Sequence, residues 1–301
     1  MTLSPVVVFV YNRPEHTQKT FAALARNSQA EDTVLYVFSD GPKSALDEEK
    51  VESVRACIKN LAGFKKVILR LEKDNLGLAT SITNGVTQVI GEHGRVIVLE
   101  DDLVTSPYFL PYMNQALEHY EAVDRVMHVG GYMYPIDTRG LPGIFLNRHV
   151  SSWGWGTWSR AWQMFEPSVE SLACCFDDEK RLYLNLDGAY DFWSHLEKNL
   201  IGELNTWAIR WYASVLLNEG LGLYPSASLV KNIGIDGSGA HCGRTSKYDV
   251  ELHQQPIVEF PHDIEENPLA LARIQHFLRR SEPLGVRIRK LFGGGASSSL
   301  S

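Results

Sequence analysis

Cysteine is scarce in this sequence: there are four in 301 residues, at positions 57, 174, 175 and 242. Their spacing matches no zinc or iron–sulfur pattern, and the neighbours Cys174 and Cys175 are badly placed to bond each other. Neither a disulfide framework nor a thiolate metal site is expected, and reduced thiols in a cytoplasm are the simplest reading. No apolar run reaches membrane-spanning length. The opening "MTLSPVVVFVYNRPE" has too short an apolar core and no basic lead, so it reads as a first strand rather than a signal peptide. Positive charge is also in deficit. The 29 Lys and Arg against 36 Asp and Glu leave a net charge of -7, and no nucleic-acid partner is expected. Three nucleotide and nucleophile signatures are missing. No G-x-G-x-x-G follows the first strand, no G-x-x-x-x-G-K-[ST] occurs, and no G-x-S-x-G occurs. These absences remove the dinucleotide fingerprint, the P-loop and the α/β-hydrolase elbow. Internal repeats are absent too.

What is present is an ordinary globular composition, 44% apolar and 22% charged. It is long enough for one large domain or two small ones sharing a core. Pro5–Val10, Thr33–Phe38, Lys66–Leu71 and Arg95–Leu99 are short, β-branched apolar runs of the kind that form buried parallel strands. Helical patterns separate them. One begins at Pro14, and the others span Leu46–Leu61 and Leu78–Ile90. The alternation predicts an α/β fold with a mostly parallel central sheet flanked by helices. Ligands on such sheets bind beyond the carboxyl ends of the strands. There the sequence reads "YNRP", "SDGPK", "DNLGLATS" and "EDD" in turn, so polar and turn-forming residues collect at one rim.

The last of these is the most informative. In "GRVIVLEDDLVTSPYF" an apolar strand runs into Glu100, Asp101 and Asp102. Continued extension would put Glu100 and Asp102 on one face and Asp101 on the other. A solvated acidic turn closing a strand explains such a triplet. So does a hard divalent cation, Mn²⁺ or Mg²⁺, which takes one or two protein carboxylates together with substrate phosphates. The position at the rim favours the cation, which would neutralise charge on a diphosphate leaving group.

Four features in order, "VFVYNRP", "VFSD", "NLGL" and "LEDD", resemble the GT-A-fold glycosyltransferases, which move a sugar from a nucleotide sugar. "EDDL" followed by "PYFLPYM" most resembles the N-acetylglucosaminyltransferase I-like branch, and "SSWGWGTW" and "LYPSASLVKNIGIDGSGAHC" resemble bacterial glycosyltransferases. The resemblance implies a GT-A, Rossmann-like fold with a smaller mixed acceptor-side lobe. It implies a nucleotide-sugar lobe over 1–130 and an acceptor and catalytic lobe of the same domain over 131–262. By position it makes Asp102 the direct metal ligand, puts Asp101 near the ribose, and lets Glu100 act through metal-bound water. Tyr11 and Arg13 would border base and phosphates, Asp40 would accept from base or ribose, and Asn75 and Gly77 would shape the pocket. Local alternatives remain: an Asx-turn for Asp40, capping for Asn75 and Gly77, and a surface cation for Arg13.

All seven tryptophans lie after residue 152. In "SSWGWGTW", Trp153 or Trp155 would line the donor–acceptor junction by stacking on a sugar face, with core packing as the plain alternative. His241, in the glycine-rich "GIDGSGAHCGRT", suits an imidazole metal ligand on a closing loop, or else a surface histidine. An inverting transferase needs a carboxylate to deprotonate the acceptor hydroxyl. The related branch carries an Asp in a Trp-Asp context, where this chain has Ala208 in "NTWAIRW". Glu203 and Asp236 are the substitutes, with Asp191 behind them.

These residues together predict a metal-dependent, inverting glycosyltransferase. Its donor would be a nucleoside diphosphate sugar, with UDP the expected nucleotide, and its acceptor a glycan, a lipid-linked saccharide or a protein. Two rivals stand beside it: a nucleotidyltransferase, and a sugar-binding module that has lost its base. The glycine-free "YNRPEH" argues against the first, and Ala208 is the support for the second. From Asn267, "NPLALARIQHFLRR" reads as a capped helix within C-terminal helices over 263–292, before a disordered tail over 293–301. The basic–apolar "GVRIRKLF" suits either weak docking at the inner face of a membrane or a solvated helix end.

Overall fold

The computed structural model describes residues 2–237 and 245–281. Four strands and three helices build the first half. They are β1 (Val6–Val10), α1 (Pro14–Leu24), β2 (Val34–Ser39), α2 (Ala45–Lys59), β3 (Lys66–Leu71), α3 (Leu78–His93) and β4 (Arg95–Glu100). Each boundary has a local cause. Pro14 starts α1, where its missing N–H costs nothing. Gly94 ends α3 in the left-handed conformation at φ 78°, its N–H donating to the Ile90 carbonyl at 2.7 Å.

The chain continues through β5 (Leu103–Thr105), α4 (Phe109–His119), β6 (Val126–Gly130), β7 (Ile144–Asn147) and β8 (Trp155–Trp158). Short helices follow: α5 (Ser159–Trp162), α6 (Val169–Cys174), α7 (Asp178–Leu184) and α8 (Trp193–Leu200). The chain then forms α9 (Trp207–Leu217), β9 (Leu221–Pro225), β10 (Val230–Asn232) and α10 (Pro268–Ser281).

The large sheet has the order β3-β2-β1-β4-β8-β6-β9-β7. The four strands read from sequence form its wholly parallel half. Beyond β4 the sheet becomes mixed, with β8 antiparallel to both β4 and β6, and β9 parallel to β6. The sheet is thus continuous across residue 130, where the two lobes were expected to meet. A second sheet pairs β10 with β5, antiparallel.

Side chains alternate across the parallel half. Val6, Val8, Val10, Leu35, Val37, Ile97 and Leu99 pack with α1 and α4 on one face. Val7, Phe9, Tyr36, Phe38, Val96 and Val98 pack with α3 and α9 on the other. Burial on both faces explains why these strands read as continuous apolar runs. At the far edge, Ala270, Ile274 and Leu278 of α10 pack against Phe145 and Tyr224. The buried Arg148 bonds Asp187 at 2.5 Å and approaches Glu266 at 3.6 Å, tying the approach to α10 to the body. The expected cap is formed: Asn267 Oδ1 accepts from the Ala270 N–H at 2.9 Å. Cys57, Cys174 and Cys175 are free thiols. No helix among the described residues is long and apolar enough to cross a membrane.

Candidate functional site

In the order β3-β2-β1-β4, the chain first winds outward from β1 and then crosses back to β4. The topological switch point therefore lies between β1 and β4, where open α/β sheets bind their ligands. A cavity of about 460 Å³ sits there. Tyr11, Arg13, Asp40, Asn75, Gly77, Glu100, Asp101 and Asp102 all line it, so eight of the residues read from sequence meet in one place.

The carboxylates are arranged differently from the expectation. β4 ends at Glu100, and Asp101 and Asp102 form the turn through which the chain leaves the large sheet for β5. Strict alternation therefore stops at Glu100, and all three acids converge on the cavity. The Tyr11 N–H donates to the side-chain Asp101 Oδ2 at 3.2 Å, just beyond the last β1–β4 strand pair. The Thr20 hydroxyl donates to the Asp101 carbonyl at 2.9 Å. Arg13 Nη1 bonds Asp102 Oδ2 at 2.8 Å, and Arg13 Nη2 lies 3.8 Å from Asp236 Oδ1. Among the described residues, no donor hydrogen-bonds the Glu100 carboxylate.

This crowding shows in the acidities. Burial raises Glu100 to about 8, with the charges of Asp102 and Asp101 adding to it and Arg13 opposing. Burial and the Asp102 charge raise Asp101 to about 7. Asp102 is raised by burial, against the lowering effect of Arg13. The cavity wall carries four carboxylates, Asp40, Glu100, Asp101 and Asp102, against two cations, Arg13 and Lys43, and so is short of positive charge. Among the described residues, no group of three or more His, Cys, Asp or Glu side chains could hold a metal alone.

Asp40 departs from its expected role. Its Oδ1 accepts from the N–H groups of Gly41 at 2.9 Å and Leu76 at 2.8 Å. Its Oδ2 accepts from Asn75 Nδ2 at 3.1 Å and the Gly77 N–H at 2.9 Å. A carboxylate has about four acceptor sites, and the chain's own donors fill them. Asp40 therefore braces the "NLGL" turn instead of presenting an open acceptor to base or ribose. Gly77 sits at φ 77°, ψ 152°, a conformation essentially reserved for glycine.

Trp155 needs correction as well. It is fully buried, stacked at 5.1 Å on Trp207 and at 5.6 Å on His128, and is core rather than cavity wall. Its neighbour two residues earlier, Trp153, lines the cavity instead. Glu203 is exposed in the turn between α8 and α9 and does not line the cavity. Asp236 stands closer, with the His16 Nε2 at 3.1 Å beside its contact to Arg13. Ala208 is half-buried against the core cluster around Trp155. His241 lies outside the described residues, as does "GVRIRKLF".

Sequence reasoning missed Asn232 and Gly234, which complete the wall. They arrive because β10 pairs with β5, Asn232 opposite Leu103, directly after the acids. The Ile233 N–H donates to the Asp102 carbonyl at 2.9 Å. A Cβ on Gly234 would lie 1.9 Å from Asp102 Oδ2 and 2.8 Å from Arg13 Nη1, so any side chain here has to displace that ion pair. "LVKNIG" reads as a short strand, but nothing local in it names a partner about 130 residues away.

The sequence of residues 6–169, more than half of the chain, matches the model of the family described as glycosyl transferase family 2. The chain belongs to that family. The matched region runs from β1 to the start of α6 and contains the eight cavity residues, whereas Asn232, Gly234 and Asp236 lie beyond it. No curated protein sequence matches the chain. Among solved structures, it is similar to the mannosyltransferase PcManGT from Pyrobaculum calidifontis, in complex with GDP-Man and Mn²⁺, at 12% identity and TM-score 0.40. That match covers 72% of this chain and 70% of the other. Mouse xyloside xylosyltransferase 1, in its apo form, matches at 12% identity and TM-score 0.38, covering 72% and 82%. S. aureus TarS matches at 16% identity and TM-score 0.31, covering 46% of this chain and 23% of that one. The family match, with the mixed, largely parallel sheet, gives this transferase a GT-A α/β fold and makes glycosyl transfer its chemistry.

Proposed function

We propose that this family 2 transferase moves a sugar, with metal assistance and inversion, from a nucleoside diphosphate sugar to a hydroxyl of a glycan, lipid-linked saccharide or protein. The observation that carries the reading is the convergence of Tyr11, Arg13, Glu100, Asp101 and Asp102 on one cavity at the switch point of the sheet. UDP is the nucleotide proposed first.

The donor set suits Mn²⁺ or Mg²⁺. A cage built wholly of protein is lacking among the described residues, but such ions are held by one or two carboxylates with phosphates and water. Asp102 would be the direct ligand, and Glu100 would act through water. When bound, the cation would neutralise charge on the departing diphosphate. Arg13, now on Asp102, would add a guanidinium that bonds phosphate oxygens in pairs. Asp101, fixed by the Tyr11 N–H, would face the ribose, and the braced turn at Gly77 would close the donor-sugar side. Trp153 would offer its ring to the sugar face at the junction.

Asp236 is the proposed base: it adjoins Arg13 at the edge of the cavity, whereas Glu203 lies away from the cavity wall. The lobes are proposed as donor-binding over 1–130 and acceptor-binding over 131–262, and the cytoplasm as the site of action. Product analysis tests the reading. With Mn²⁺ and a sugar acceptor, nucleoside diphosphate should be released from one of the UDP-, GDP- or dTDP-sugars. Release of pyrophosphate from a nucleoside triphosphate would support the nucleotidyltransferase instead. Metal-dependent sugar binding without any release would support the binding module.

A further inference from the structure

A second cavity, also about 460 Å³, lies between α10 and the loop after β6. Arg273, His276, Phe277 and Arg280 line it from α10. Their spacing puts them on one helical face, beside the buried stripe of Ala270, Ile274 and Leu278, and Phe277 packs against that stripe's core cluster. Lys247 enters from the other side and Asp137 from the loop. Asp137 is engaged already, by Arg139 at 2.7 Å and Arg273 at 3.4 Å, and those arginines, Arg139 foremost, hold its pKa well below the usual carboxylate range. The wall is therefore cationic on a protein whose net charge is -7. The Arg273 Nε is buried and has no hydrogen-bond partner among the described residues.

The two cavities are joined by aromatic rings. Trp153 lines the first, and its ring lies 5.8 Å from that of Tyr248. Tyr248 lies 5.9 Å from Phe277, which lines the second, and Lys247 covers the Tyr248 ring at 4.9 Å. The rings meet edge to face, at 89° and 63°, and form a half-buried aromatic rim between the cavities. Such a rim suits the apolar C–H faces of sugars, and guanidinium and ammonium groups at the far end suit a carboxylate or phosphate. We infer that the second cavity is a subsite for a negatively charged group on an acceptor oligosaccharide, whose neutral sugars lie along Tyr248 toward Trp153. This rests on the donor reading of the first cavity. A planar membrane surface fits less well, because the cations line a recess and Arg273 is only 37% exposed.

Calorimetric titration of the full-length protein tests this at low salt, with trigalacturonate, uncharged maltotriose and inorganic phosphate as probes, and UDP with Mn²⁺ as the readout of the first cavity. Trigalacturonate should bind at least tenfold more tightly than maltotriose and weaken as salt rises. The double variant Arg273→Gln, Arg280→Gln should lose that preference while binding UDP as before. Lys247→Gln, outside the helix, should weaken trigalacturonate independently of α10 packing. Tyr248→Leu should weaken trigalacturonate and leave phosphate unchanged. Equal binding of the charged and neutral trisaccharides, or undiminished binding to the double variant, overturns the inference. So does a protein that ignores trigalacturonate but sediments with phosphatidylglycerol vesicles through these arginines. If UDP fails to bind while trigalacturonate behaves as expected, the donor reading is what fails.

Discussion

Asp40 and Asp102 are both acids at strand ends, yet they call for opposite experimental signatures. Asp40→Ala strips partners from three backbone amides and Asn75, so it should destabilise the fold by about 2–3 kcal/mol, read as a lower urea midpoint at unchanged slope. A residue that merely touched ligand would leave that midpoint in place. The tryptophan pair separates in the same way. Trp155→Ala opens a cavity in a fully buried aromatic stack and should cost about 3–5 kcal/mol. Trp153→Ala should cost far less stability and raise the acceptor KM. Acidity gives a further residue-level expectation. Glu100 and Asp101 have raised pKa values, near 8 and 7, so without metal they hold protons at neutral pH that a cation must displace. Mn²⁺ affinity should therefore rise as pH increases from 6 to 8.5, with proton release detectable by calorimetry in buffers of different ionisation enthalpy. Affinity flat across that range would mean that these carboxylates take no part.

Among elements, the βα turns were legible and the returning strand was not. Asn75–Gly77 could be read as a turn capping the next helix because asparagine and glycine are turn-formers, and in the structure Gly77 is the N-cap of α3, at φ 77°. Gly77→Ala should cost about 1–3 kcal/mol for that conformation alone, measured by denaturant unfolding. The acid triplet was legible as a cluster but not in its geometry, since alternation was extended two residues past the true end of β4. The β10–β5 pairing joins segments more than a hundred residues apart, and short-range pattern carries no register information over such a distance. Gly234→Ala puts a methyl against Asp102 Oδ2, and it should weaken metal-dependent nucleotide binding at least tenfold while thermal unfolding stays close to wild type. Unchanged binding would mean that Asp102 can move aside freely.

For the whole molecule, the parallel half was readable because β1, β2 and β4 are buried on both faces, although the edge strand β3 is not, and every strand ends in its own punctuation. The mixed half was not, because β6, β7, β8 and β9 are short and reach the sheet in an order unrelated to sequence. Tryptophan count misled there: a glycine-spaced aromatic run can serve core and cavity at once, and Trp153 and Trp155 divide those tasks. The central claim is that the switch-point cavity binds a nucleoside diphosphate sugar through a cation held by Asp102. The most direct measurement is the thermal unfolding of wild type and Asp102→Ala with a panel of UDP-, GDP-, CMP- and dTDP-sugars, with and without Mn²⁺. Ligand that binds the native state raises the unfolding temperature, so wild type should show a rise for one nucleotide class only when Mn²⁺ is present, and Asp102→Ala should fold but show none. An equal, Mn²⁺-dependent rise in Asp102→Ala would contradict the account.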